Sequence, residues 1–325
     1  MSARESAIIE GHDAAPSLLE RAGLGSSFPD HLRPYLWMLV GAFSFAVMGA
    51  LTHAVATEID WRIIALVRAM LATTFAASLA LRAGKKIIFI GTPTLWMRSI
   101  SGSISLVCTF FALTRLPIAE TLTLTNMFPL WVVLLSWPLL GHLPSRSSWI
   151  AAIIAVAGVV VMGVAEMTHS HWSWNPAYLV AIFASCTSAI AMIGLHRLGS
   201  MAPASIVTHF SAVAVLFCIA SLIIPGAAPI HGEHFTWLTS LDLLGVGIAA
   251  TAGQLSITRA FATGSPSKIS VVALTQVIFA FVFDLMFWNH PISGGKLTGM
   301  LLILLPTGWV LMHSADQKHS SDQSE

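Results

Sequence analysis

Charge is what this chain has least of. Only 10% of its 325 residues are Asp, Glu, Lys or Arg, against about 25% in soluble domains. Together with 56% hydrophobic residues and a mean hydropathy of +0.79, this excludes a water-soluble fold and indicates a membrane protein. The basic residues do not cluster with aromatics and the net charge is +1, so nothing here would hold nucleic acid. Three cysteines, Cys108, Cys186 and Cys218, sit singly in apolar segments; they lack the paired spacing of a zinc site or disulfide framework and read as packing residues. No GxxxxGK[ST] loop occurs to draw on ATP. No apolar run alternates with a period of two, which removes a β-barrel. Clustered His or Asp within the spans, which an integral membrane enzyme would need, is also missing. No catalytic residue, cofactor or metal is therefore assigned.

What the chain does have is ten apolar segments, at residues 34–54, 63–81, 97–114, 118–138, 147–165, 174–195, 202–224, 240–262, 266–288 and 295–313. Each is long enough for a helix rising 1.5 Å per residue to cross about 30 Å of hydrocarbon. Residues 1–33 are polar, too long for the lead of a signal peptide, and read as a disordered cytoplasmic tail; residues 314–325 read as a second cytoplasmic tail. The Lys and Arg positions set the orientation. With both termini inside, twelve of the 16, Arg98 and Lys268 among them, fall on the cytoplasmic side. Arg62, Arg115 and Lys296 fall outside, and Arg68 lies within span 2. The expected location is the inner (plasma) membrane of a bacterium.

Five spans per half would place a second copy upside down relative to the first, the inverted repeat of many transporters. The sequence carries such a repeat: residues 112–145 align without a gap on 260–293, Ala112 falling on Ala260, Glu120 on Lys268 and His142 on His290. In the second span of each half, Arg68 falls on His209. The expected fold is thus all-α, with ten transmembrane helices in two inverted five-helix repeats, 34–165 and 174–313. Small residues in span 8 (GVGIAATAG) and at the head of span 3 (SISGSIS) would let helix backbones approach closely.

An arginine early in span 2, a small-residue span 3 ending in FALTRLP, and a span 4 with a central proline before a Leu-rich run and glycine resemble the EamA-type members of the drug/metabolite transporter superfamily. The resemblance covers residues 34–313. It implies a central cavity lined mostly by spans 3, 4, 8 and 9, and alternating access. The chain departs from that pattern at His142 and His290, where such proteins often carry an acid, and in having no acid in span 1.

The candidate site residues lie in the two copies of the repeat. In span 4, Glu120, Thr123, Asn126 and Met127 share one face; in span 9, Lys268, Thr275, Gln276 and Phe279 do. Thr123, Asn126, Met127, Thr275, Gln276 and Phe279 are assigned to a substrate cavity, with Gln276 too deep to reach the surface. Arg68, Glu120, His209 and Lys268 are assigned as gate or charge sites. Glu120 reads equally as a gate or proton site and as the cap of a helix start. Arg68 is placed to meet it, His209 reads as a packing residue, Lys268 as a cation reaching the cytoplasmic surface, and Asp284 as a carboxylate reaching the outer headgroups. Pro129 would free the carbonyl of Thr125. Two outer loops, with His169 and His171 and with His231 and His234, offer Zn or Ni ligands or are simply solvated.

A secondary transporter of a small organic solute is the reading these residues favour. The alternatives are an integral membrane enzyme or a non-transporting receptor. The expected partners are the solute, the lipid bilayer, and optionally a coupling proton and a second copy in a homodimer.

Overall fold

A computed structural model describes residues 32–88, 90–140, 146–167, 175–223, 236–264, 269, 272–288 and 293–321. The helices are α1 (Arg33–Val55), α2 (Trp61–Arg82), α3 (Pro93–Leu113), α4 (Ile118–Thr125), α5 (Phe128–Leu140), α6 (Arg146–Met167), α7 (Ala177–Arg197), α8 (Pro203–Leu222), α9 (Trp237–Thr263), α10 (Thr275–Phe283) and α11 (Gly294–Ser321). A π-helical turn, Asp284–Trp288, continues α10. No strand occurs among the described residues.

Six of these helices, α1, α2, α3, α7, α8 and α9, are long and apolar enough to cross a membrane. The ten expected spans are thus represented by six full-length candidates among the described residues. Span 4 is two short helices instead of one kinked one, and α11 runs on to Ser321, past the expected end at 313.

Local chemistry explains the starts. Asp60 accepts the backbone N–H of Arg62 at 2.9 Å before α2, Thr92 and Thr236 cap α3 and α9 in the same manner, and Pro93 and Pro203 occupy first-turn positions where no N–H is needed. Within the helices, hydroxyls that would be stranded in lipid bond back to carbonyls one turn earlier, as Thr73 does to Ala69, Ser103 to Ser99, Thr251 to Gly247 and Thr307 to Ile303. Leu81, Ile153, Leu216, Leu238, Met286 and Leu305 point outward, the placement expected of side chains in contact with lipid.

Small residues set the close contacts, as expected for span 8 and the head of span 3. A Cβ on Gly158 of α6 would lie 2.7 Å from the Gly299 carbonyl oxygen of α11, one on Gly247 of α9 2.4 Å from Leu71 of α2, and one on Gly194 of α7 3.3 Å from Arg98 of α3. The helix pairs with the broadest contact are α3 with α7, α6 with α11, and α2 with α8. The cysteines Cys108, Cys186 and Cys218 are free.

Candidate functional site

The second span of the hairpin breaks where its polar residues sit. α4 ends at Thr125 and α5 starts at Phe128, so Pro129, with no N–H to give, falls in the first turn of a new helix, where it costs nothing. Asn126 occupies the break. Its Nδ2 donates to the Leu122 carbonyl at 2.7 Å, closing α4, and to Gln276 Oε1 at 3.4 Å. Gln276 stands in the first turn of α10. The two amides, both assigned from sequence to a substrate cavity, thus meet across the molecule.

They border a cavity of about 140 Å³ reached by α1, α2, α3, α4, α5, α7, α8, α9 and α10. Phe45, Met48, Leu106, Phe110, Phe128 and Ile257 supply apolar wall. Ser105 and Ser188, whose hydroxyls lie 2.6 Å apart, supply a polar edge. Spans 3, 4, 8 and 9 all contribute, as the resemblance implied, and span 6 contributes Ser188, Ala191 and Met192 as well.

Two arginines face this cavity. Arg68 and Arg98 are 2% and 1% exposed, and their guanidinium carbons lie 5.9 and 4.4 Å from the ring centre of Phe210. Arg98 Nη2 donates to Gln254 Oε1 at 3.2 Å. Arg98, counted from sequence with the cytoplasmic loops, is therefore a buried residue of α3. Gly102, one turn on, leaves the room its side chain fills. A Cβ there would come within 2.3 Å of Arg98 Nη1.

The expected pairing of Arg68 with Glu120 does not form. Glu120, 2% exposed, meets Lys296 of α11 at 2.8 Å and accepts the hydroxyl hydrogen of Tyr178. Asp284 does not reach headgroups either. It is fully buried and accepts the backbone N–H groups of Ala119 at 2.7 Å and Ile118 at 3.4 Å, so it, and not Glu120, caps the start of α4. Lys296 and Tyr178 escaped the sequence reading because each lies near a span end, where a Lys or Tyr normally meets the interface.

Of the other expected cavity residues, Thr123 is buried and bonds back to Ala119, and Met127 lies in the apolar core beside Leu130 and Val277. Thr275 bonds to Val272, and Phe279 packs edge-on against Phe43 at 5.3 Å. None of the four lines the cavity, whereas their neighbours Thr125, Asn126 and Gln276 do. His209 is a packed residue: its Nδ1 shares a hydrogen bond of 2.8 Å with Ser99, and its ring meets Trp96 edge-on. Lys268, His142, His290 and the histidines of the two outer loops lie outside the described residues. No group of three or more metal-ligating side chains occurs among those described.

Residues 32–164 match the EamA-like transporter family. Over 276 residues the chain is 25% identical to the pseudopaline exporter CntI of Pseudomonas aeruginosa, covering 83% of this chain and 93% of the exporter. It is 20% identical to solute carrier family 35 member G1 of Homo sapiens, over 64% of this chain and 59% of that protein. A crystal structure 17% identical in sequence superposes with a TM-score of 0.60, over 88% of this chain and 98% of the other, and shares its fold.

Proposed function

We propose that this chain, an integral membrane small-solute transporter of the EamA-like family within the drug/metabolite transporter superfamily, carries its solute through the cavity at Asn126 and Gln276 by alternating access between two inverted five-helix repeats. The observation that carries the reading is a helix break at matching positions of the two copies. The repeat alignment places Asn126, where α4 gives way to α5, on Leu274, a turn residue between helical Val272 and Ala273 and the start of α10. Interrupted helices at corresponding positions of two halves are where transporters of this plan bind solute.

Helix pairing supports the inverted repeat. Exchanging the halves sends span 2 with span 7, and span 5 with span 10, onto themselves. Those pairs, α2 with α8 and α6 with α11, are among the broadest. The same exchange relates α3 with α8 to α9 with α2, and both pairs are in contact. It also relates α3 with α7 to α9 with α1, where Phe45 covers Gly253.

In this reading the termini are cytoplasmic, and the ends expected outside come together: His53 bonds the Leu113 carbonyl and meets the Trp288 ring edge-on, and Asn175 bonds the Arg115 carbonyl. The Glu120, Lys296 and Tyr178 cluster lies at this end. Glu120 precedes Asn126 by six residues, about 9 Å of helix rise, so the cluster acts as an outer gate above the cavity. Glu120 would carry a coupling proton where flux is proton-driven.

The test is solute flux in proteoliposomes for Asn126→Leu and Gln276→Leu. Leucine preserves volume and suits a membrane helix, so each variant keeps its fold and loses about tenfold in apparent affinity, the size of one or two hydrogen bonds. Wild-type flux in both would remove Asn126 and Gln276 from the path.

A further inference from the structure

We infer that the cavity is built for an organic anion whose carboxylate or phosphate is gripped by Arg68 and Arg98; this rests on the transport reading above. Among the described residues nothing acidic lines the cavity beside these two cations. Neither guanidinium has a carboxylate partner among the described residues, and Nε and Nη1 of Arg68 and Nε of Arg98 are buried without a hydrogen-bond partner there. An unpaired charge out of water is costly. Two of one sign, brought to the same phenyl ring, repel each other besides.

What the protein supplies in return falls short. Phe210 gives each cation a ring face, a contact of modest strength, and Gln254 gives Arg98 one neutral acceptor. A structural arginine in a membrane protein is normally paired with an acid or with backbone carbonyls. These two are instead held in place with donors left over. An oxyanion completes the arrangement: guanidinium presents its N–H groups as a planar fork that matches carboxylate and phosphate geometry, and charge-assisted bonds of this kind are the strong ones. The rest of the cavity suits the remainder of such a solute. Asn126 and Gln276 offer amides and Ser105 a hydroxyl, while Phe110 and Met48 offer apolar surface.

The experiment uses the full-length protein in phosphatidylcholine liposomes, a neutral lipid, so that no anionic headgroup competes. Binding and flux are measured for succinate, glycerol 3-phosphate, leucine, uridine and ethidium. The expected result is a preference of at least tenfold for succinate or glycerol 3-phosphate over the other three, the two arms separating carboxylate from phosphate recognition. Arg98→Gln then lowers affinity for the preferred anion at least tenfold and erodes the preference, and Arg98→Lys, which keeps the charge and loses the fork, falls between. A purely structural arginine would lower thermal stability in Arg98→Gln and leave the order of preference intact, which overturns the proposal. Preference for leucine, uridine or ethidium in the wild type overturns it too, without need of a variant, and leaves the transport reading standing. Failure of all five solutes to bind or move, with tight binding of added phosphatidylglycerol instead, would overturn both.

Discussion

At the scale of single residues, the site depends on one missing side chain. Gly102 lies one helical turn beyond Arg98, and a Cβ there would sit 2.3 Å from Arg98 Nη1 and 2.9 Å from the Phe210 ring. Both are ends of side chains that can swing, so the helix itself need not move. Gly102→Ala should therefore leave thermal stability in detergent within a few degrees of wild type while weakening solute binding about tenfold, because the guanidinium is pushed from the position Gln254 fixes. A fall of stability comparable to a core overpacking of about 1–3 kcal/mol, with unchanged affinity, would show that Gly102 serves helix packing and not the site. The sequence disclosed this residue only as one of several small ones in SISGSIS. That it clears space for an arginine could not be read there, because the arginine stands at the span boundary, where a positive charge ordinarily belongs to the loop.

At the scale of elements, a short helix is held at its start by two carboxylates with separate tasks. Asp284 accepts N–H groups from the first turn of α4, and Glu120 pairs with Lys296 and Tyr178. Periodicity on span 4 put Glu120, Thr123, Asn126 and Met127 on one face, and of these only Asn126 lines the cavity. It could not tell which distant element would cap the helix, since that depends on how α10 and α11 dock, and the Arg68 pairing failed for the same reason. Breaking the ion pair from one side should cost more than removing it whole, because a lone buried charge is left behind. Lys296→Met is expected to lower stability by about 3 kcal/mol, and Lys296→Met with Glu120→Gln to recover more than half of that. A double-mutant cycle read by thermal unfolding in detergent measures this. Additive losses in the double variant would mean that the two side chains do not act as a pair.

At the scale of the whole molecule, composition and span length gave the membrane setting, and the repeat drew attention to spans 4 and 9, whose Asn126 and Gln276 meet in the structure. What remained hidden was the breadth of the cavity's lining, because α1, α2, α7 and α8 reach it through side chains whose inward direction only the packing decides. The arrangement of ends carries the final prediction. His53 closes α1 and Trp288 closes the turn after α10, and their rings meet with centres 5.1 Å apart; in the proposed topology this contact lies outside, next to the Glu120 cluster. Alternating access requires the two ends to separate once per cycle. In a background with Cys108, Cys186 and Cys218 replaced by serine or alanine, His53→Cys with Trp288→Cys should be joined by a short bifunctional thiol reagent that cannot cross the membrane, applied from the outer side of the proposed topology. Joining should abolish flux, each single cysteine should keep it, and a cleavable reagent should restore it on reduction. Undiminished flux in the joined protein would show that these ends move as one body. Modification from the cytoplasmic side alone would reverse the orientation drawn from Lys and Arg.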